Sequence, residues 1–449
     1  MESSRKTKLV ALGADTLADA LLDLAVRVDA ADDLIEQLIA TPKENIERYK
    51  AKLNRIQARE RFISWRESAA YAHELEMLLA DLQSGVDEPK LGVELLASFY
   101  EADSAVFDQC DDSSGNVGGV YHSEARQLFV SYAARCEDKD WLVSLVFDLS
   151  KDDGYGVRAI LVECAAEYLP ESAIRKLIER FLDAASREGD EYQKRHWMFR
   201  VESLARQIKD ASLFEQTRLA SWGTPPSAVA CVDLARVYLE SGDAKKALSW
   251  LEQISADETS KVHERDQLLL QIYGQFQDRD KQDEVALRIF RRHRSKDTLE
   301  TLLSVIGIDQ KDAVVENEVG SISQGKTLST GNAMFLIEMG RLDVAETYLL
   351  NRIDPLNGDY YSELLPLAEA MEMAGRRLCA YIIYRALLDS ILNRGQTKTY
   401  SYGARYLKKM DSISKTISDW RNIVNHTVYM EDMRQKHGRK RSFWSRYDA

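Results

Sequence analysis

Residues Gly320 to Thr327 read GSISQGKT, a full match to the phosphate-binding pattern G-x-x-x-x-G-K-[ST]. In a working loop of this kind a strand ends in a glycine-rich turn whose N–H groups wrap the phosphates, and a lysine reaches the outer phosphates as a helix begins. Gly320, Gly325, Lys326 and Thr327 are therefore the candidate phosphate-site residues. The text before them, KDAVVENEV, carries charges and an asparagine where a buried parallel strand is nearly all apolar. No later apolar run ends in the acid that would hold magnesium, and the upstream LVSLVFD, Leu142 to Asp148, fits a helix equally well. The expectation is a coincidental match that brings no nucleotide cofactor and no catalysis.

Two other stretches could make contacts. The tail, MRQKHGRKRSFWSRYDA, places Arg434, Lys436, Arg439, Lys440, Arg441 and Arg446 among Phe443, Trp444 and Tyr447, with no acid until Asp448. Guanidinium groups beside aromatic rings suit phosphate contact and base stacking, so nucleic acid is one possible partner. The other reading folds the tail back on an acidic body, with Trp444 filling a groove. The segment RGQTKTYSYGARYLKKM, Arg394 to Met410, offers Tyr402, Arg405, Tyr406 and Lys408 either as a pocket lining or as a solvated helix face. Hydrolytic chemistry finds no G-x-S-x-G elbow and no histidine with a convincing nucleophile nearby.

Metal chemistry is not expected. Five cysteines, Cys110, Cys136, Cys164, Cys231 and Cys379, form no C-x-x-C pair and read as small hydrophobes in a reducing compartment. The loop DQCDDSSGNVGGVY, residues 108–121, fails the calcium-loop spacing from either Gly115 or Gly118 and reads as a connector whose Asp and Ser residues cap a helix.

The elements that carry these residues read as helices. Seven prolines in 449 residues, with 45% hydrophobic and 30% charged residues, describe a folded helical chain. A net charge of -13 implies a surface that repels phosphate backbones and anionic lipid except at a local basic patch. Near the start, Asp15, Asp19 and Asp23 lie opposite Leu17, Leu21, Leu24 and Val28, the pattern of an amphipathic helix facing a core. No window is apolar enough for a membrane span, and a cytoplasmic location is expected. Thr41-Pro42-Lys43-Glu44 is a capping box that opens a stripe of Ile46, Tyr49, Leu53 and Ile56.

A repeat runs through the second half. Gly242, Gly274, Gly307, Gly340 and Gly375 are spaced 32, 33, 33 and 35 residues apart, the period of helical-hairpin solenoids. VDLARVYLESGDAKKALSWL resembles the tetratricopeptide pattern through Leu234, Ala235, Tyr238, Gly242, Ala247 and Leu251. Ala333 with Ala345, and Ala368 with Ala380, repeat that spacing around Gly340 and Gly375. The register makes GSISQG a loop and starts a helix at Lys326 and Thr327. The expected fold is all-α: a helical domain over 1–165, a tetratricopeptide-like α-solenoid over 166–430, and a basic aromatic tail over 431–449.

Four segments, RFISWRESAAYAHELEMLLADL, DDSSGNVGGV, IIYRALLDSILNRGQTKTYSYGARYLKKMD and HGRKRSFW, together resemble an uncharacterised family of bacterial all-helical proteins. That family is similar to the helical regions of some SWIM zinc-finger proteins, but the C-x-C and C-x-H of the finger are absent from this sequence. The resemblance implies a helical architecture and no established activity. The expected function is a non-enzymatic scaffold that binds a protein or peptide on the concave face of the solenoid. Its inward positions are Val229, Val232, Arg236 and Leu239, then Thr330, Met334 and Ile337. Arg236, Leu239, Tyr402, Arg405, Tyr406, Arg439, Lys440, Arg441 and Trp444 are the expected partner-binding residues. Nucleic-acid binding through the tail is the alternative, and nucleotide binding at Gly320–Thr327 the last.

Overall fold

The computed structural model describes residues 2–222, 225–353 and 356–449, and regular structure among them is helical apart from one isolated parallel bridge between Ile63 and Cys110. Two compact units divide the chain, residues 1–260 and 261–449. Helices of eight or more residues are numbered below.

The first unit starts with α1 (Glu2–Val10), α2 (Ala14–Ala25) and α3 (Asp29–Ile39). Helix α4 (Pro42–Gln57) follows, opened by the expected capping box: Glu44 N–H donates to Thr41 Oγ1 at 3.4 Å and Thr41 N–H to Glu44 Oε2 at 2.8 Å. Then come α5 (Ser68–Gly85), α6 (Pro89–Glu101), α7 (Arg126–Arg135), α8 (Lys139–Leu149), α9 (Glu171–Arg187), α10 (Glu191–Gln207), α11 (Ala211–Trp222), α12 (Ala228–Glu240) and α13 (Ala244–Leu251). Tyr49, Leu75, Phe99, Tyr100, Phe129 and Phe181 are fully buried in one continuous core. Asp103 is buried too, and Arg158 neutralises it with Nε at 3.0 Å and Nη2 at 2.6 Å. In the 108–121 loop, Asp112 accepts from the backbone N–H of Val117 at 2.9 Å and Gly118 at 2.8 Å, the capping role its acids suggest.

The stripe expected to face a core behaves differently. Helix α2 has no buried residue: Leu17 and Leu21 are half-buried, and Leu24 and Val28 are exposed. It packs chiefly on α3, which in turn meets α5, where Gln37 Nε2 donates to Ser84 Oγ at 3.1 Å, and α4, where Asn45 Nδ2 donates to Gln37 O at 3.1 Å.

The second unit contains α14 (Val262–Phe276), α15 (Arg279–Arg292), α16 (Lys296–Ile306), α17 (Lys311–Gln324), α18 (Thr330–Glu338), α19 (Leu342–Leu350), α20 (Tyr361–Met373), α21 (Arg377–Arg394), α22 (Tyr400–Ser414), α23 (His426–His437) and α24 (Arg441–Asp448). Helix α14 packs on α15, α15 on α16, α18 on α19, α20 on α21 and α21 on α22, with α17 on α19, α18 on α20 and α19 on α21 as well, which is solenoid-type packing. Two buried carboxylates tie α15 to α14 and to α17. Asp266 accepts from Arg288 and Arg292 at 2.8 and 2.7 Å, and Glu318 from Arg291 and Arg294 at 2.8 and 2.6 Å.

The hairpins share one turn. At Gly242, Gly340 and Gly375 the backbone is left-handed (φ 92°, 72° and 73°), and the next N–H reaches back to the carbonyl of the residue five earlier: Asp243 to Tyr238, Arg341 to Leu336 and Arg376 to Met371, each 2.8 Å. This is the six-to-one bond of a Schellman motif. The same bond closes α10 through Lys209 and α14 through Gln277, both left-handed without glycine. Gly274, expected to end a hairpin helix, lies inside α14 three residues before the turn. Gly307 is left-handed but makes no such bond, because a 3-10 turn at Ile308–Gln310 leads directly into α17. All six alanines expected at close helix contacts, Ala235, Ala247, Ala333, Ala345, Ala368 and Ala380, are fully buried.

Candidate functional site

In GSISQGKT the structure reverses the helix that a phosphate loop requires. Gly320 to Gln324 form the last turn of α17 and Gly325 caps its C-terminus, so the groups left unpaired there are carbonyls. Arg352 takes two of them, donating from Nε to Gly325 O at 3.1 Å and from Nη2 to Ser323 O at 3.0 Å. Lys326 and Thr327 lie exposed in the connector, and α18 begins at Thr330 with Ser329 as its cap. The helix start thus falls after Lys326 and Thr327, where the repeat register placed it at them. The negative end of a helix faces the position that a phosphate would occupy.

Helix α24 folds back on α22. Phe443 is fully buried, with its ring 5.8 Å from that of Tyr400, and it fills space that a Cβ on Gly403 would enter at 3.2 Å. Trp444 Nε1 donates to His437 O at 3.0 Å, and Arg434 lies over the indole at 5.2 Å. Trp444 is therefore a packing residue. Arg439 and Arg441 stay exposed, and Lys440 is half-buried with Nζ 3.6 Å from a Cβ built on Gly395.

A network with no signal in sequence pins this end. Tyr381 Oη lies 3.0 Å from His426 Nδ1, His426 Nε2 lies 2.8 Å from Asp411 Oδ1, and Tyr447 donates to Asp411 Oδ2 at 2.6 Å. Burial, reinforced by Asp411, pushes the Tyr447 hydroxyl up to about 12. The His–Asp pair is half-buried, and the Tyr381 that meets it is fully buried. Four residues from α21 to α24 are stapled together.

Helices α20, α21 and α22 line a groove. Tyr361, Leu365, Ile391, Arg394, Tyr402 and Tyr406 line a cavity of about 440 Å³. The rings of Tyr361 (63% exposed) and Tyr402 (51%) form its open edge, while Tyr406 is buried at its floor. Tyr406 is held from behind by stacking on Tyr384 at 5.8 Å. The Tyr384 hydroxyl donates to Glu372 at 2.8 Å, and Lys409 binds the same carboxylate at 2.6 Å. Glu372 stays below the ordinary carboxylate range despite its burial because both neighbours bond to it. Burial raises the Tyr384 and Tyr406 hydroxyls, which keeps them neutral. Arg405 lies over Tyr402 at 5.3 Å and Tyr406 at 5.9 Å, so its charge sits at the rim.

The cavity continues past the loop before α20. Gly358 presses on α21 so closely that a Cβ there would lie 2.0 Å from Ala386 O. Gly358 and Arg394 also line a polar cavity of about 650 Å³ with Asn357, Arg385, Asp389 and Asn393. Within it Asp389 accepts from Tyr429 at 2.7 Å, and burial raises its carboxyl. Leu356 and Asn357 extend the lining into a third pocket of about 340 Å³ beside Tyr360 and Glu363. The result is an aromatic slot joined to a polar trough.

Of the expected contact residues, Tyr402, Arg405 and Tyr406 meet at this slot. Arg236 and Leu239 are half-buried on α12 of the first unit, beside buried Val232 and exposed Val229. Thr330, Met334 and Ile337 are half-buried on α18. The sequence pointed to Tyr402 through its basic, tyrosine-bearing text. Arg394 opens the same text, whereas Tyr361 and Leu365 had no such signal, because only the packing of α20 brings them to it. Among the described residues, no three His, Cys, Asp or Glu side chains cluster as metal ligands would. No helix there is long and apolar enough to cross a membrane.

A profile described as a family of unknown function (DUF6880) matches residues 2–233 and 223–446. No curated protein matches the chain. Among solved structures, a circular tandem repeat protein with novel repeat topology and enhanced subunit contact surfaces is 14% identical, over 96% of this chain and 93% of its own. The TM-score of 0.17 is too low for that likeness to bear on the fold.

Proposed function

The chain belongs to this family of unknown function (DUF6880), and from that premise we propose a non-enzymatic interaction scaffold that holds an extended peptide segment of a protein partner in the tyrosine slot. The slot carries the reading: three tyrosines and apolar side chains form a receptacle for one apolar side chain, and the polar trough beyond Gly358 offers groups to the peptide backbone. Charge favours an acidic segment. Residues 394–446 contain thirteen Lys and Arg against four Asp and Glu. The hairpins stack in a tetratricopeptide-like manner in this reading, and the protein works in the cytoplasm without a cofactor.

Selection of displayed peptides on the intact chain tests the proposal. The expected peptides carry an apolar residue beside acids, and binding falls at least tenfold in the Tyr361→Ala/Tyr402→Ala double variant. Selected peptides that bind the variant equally well sink the reading.

One observation supports a second reading, single-stranded nucleic acid. Lys398, Arg405 and Lys408, with Arg439 and Arg441 of the tail, are exposed and form no ion pair within the described residues. A salt-sensitive gel shift abolished by Arg439→Glu/Arg441→Glu, without loss of peptide binding, would favour it.

A further inference from the structure

The N-terminal hairpin leaves its apolar surface uncovered. Leu9, Val10, Leu12, Leu22, Leu24, Val26, Val28, Leu34, Leu38 and Ile39 are all exposed, within thirty-one consecutive residues. Leu22 is 57% exposed, Val26 87%, Leu34 37% and Leu38 66%. Leu34 and Leu38 are one helical turn apart on α3, and Leu22 lies one turn before Val26 at the end of α2, so each helix presents an apolar ridge. Scattered exposed leucines need no explanation, whereas a contiguous set marks an interaction surface.

Charge identifies the occupant. Helix α1 carries Arg5, Lys6 and Lys8, and α2 carries Asp15, Asp19 and Asp23, all exposed and joined by no ion pair within the described residues. The hairpin is thus a surface with cations at one end and acids along the next helix. That arrangement is complementary to itself: a two-fold axis lays the α1 of one copy along the α2 of the other, and the apolar ridges face each other between them. A membrane is the poorer fit, because the polar face of α2 is acidic where lipid-binding helices are basic.

We infer that residues 2–39 form a self-association module whose apolar face is covered by the same face of a second copy of this chain. The surface lies outside the peptide slot, so the two readings stand or fall separately.

Sedimentation equilibrium of the full chain from about 1 to 100 μM tests the inference. The wild type is expected to dimerise in the micromolar range, and more weakly as salt rises. Leu22→Asp/Leu38→Asp is expected to raise the dissociation constant at least tenfold with an unchanged melting temperature at low micromolar concentration, because both side chains are exposed in the single chain. A wild type that stays monomeric at 100 μM overturns the inference, and so does a dimer indifferent to the substitutions. A variant monomer that melts several degrees lower would show that the chain covers this face itself. Flotation of the wild type with lipid vesicles, lost in the variant, would assign the face to a membrane, and either result overturns the self-association reading.

Discussion

Glu202 on α10 is 2% exposed, with Arg218 Nε at 3.1 Å from its carboxylate and Asp233 on the far side of that arginine. Burial outweighs the arginine, so its carboxyl is raised to about 7. The folded value lies above the unfolded one, so the folded chain binds more protons between about pH 4.5 and pH 7. Stability therefore falls as pH rises through that window. Glu202→Gln keeps the shape and removes the titration. Relative to wild type it is expected to be near neutral at pH 5 and more stable at pH 8 by on the order of 2 kcal/mol. Urea titrations at the two pH values check this, and an equal difference at both would refute the assignment. Side chains show what a sequence can and does not display. Thr41 with Glu44, and the small alanines, act through neighbours at fixed spacing and were legible. Tyr381, Asp411, His426 and Tyr447 act through a meeting of four helices, and no local pattern announces it.

Hairpin turns carry the same lesson for elements. The period was legible because stacked hairpins of equal length repeat it, but glycine was an incomplete marker of the turn. Gln277 and Lys209 hold the left-handed position without it, and Gly274 merely sits in a helix. The two kinds of glycine should respond oppositely to alanine. Gly340→Ala forces a Cβ into φ 72° and is expected to cost about 1–2 kcal/mol. Gly274→Ala meets the movable end of Gln282 at 2.9 Å and gains helix propensity, so it is expected to be neutral or to stabilise by up to about 1 kcal/mol. Thermal unfolding of the pair decides between turn and helix at each site. Helix α24 gives a parallel contrast: Phe443→Ala empties a fully buried site and is expected to cost about 3–5 kcal/mol, whereas Arg439→Ala should stay within about 0.5 kcal/mol. Equal effects would mean that the tail is not docked. The tail's basic aromatic composition was read correctly from sequence, but its division into a buried aromatic ridge and an exposed cationic edge depends on Gly403 and Tyr400 beneath it.

On the scale of the whole molecule, the net charge of -13 conceals a partition. Residues 1–260 hold 31 Lys and Arg against 47 Asp and Glu, and residues 261–449 hold 29 against 26. The first unit accounts for all of the excess acidity, so the repulsion of anions inferred from the total does not extend to the slot and the tail. Average charge misleads here because electrostatic attraction at the surface is local, with a screening length of about 10 Å at 0.1 M salt. A protein of this net charge would ordinarily pass through a polyanionic matrix. This chain is expected to be retained on immobilised heparin at pH 7.5 in low salt and released as salt rises above about 0.1 M, where screening shortens the reach of the basic edge. Arg439→Glu/Arg441→Glu should abolish retention while leaving the melting temperature unchanged, since both side chains are exposed. Flow-through of the wild type, or retention unaffected by the charge reversal, would show that the excess cations of the second unit do not act as one anion-binding surface, and the preference of the slot for acidic peptides would lose its electrostatic basis.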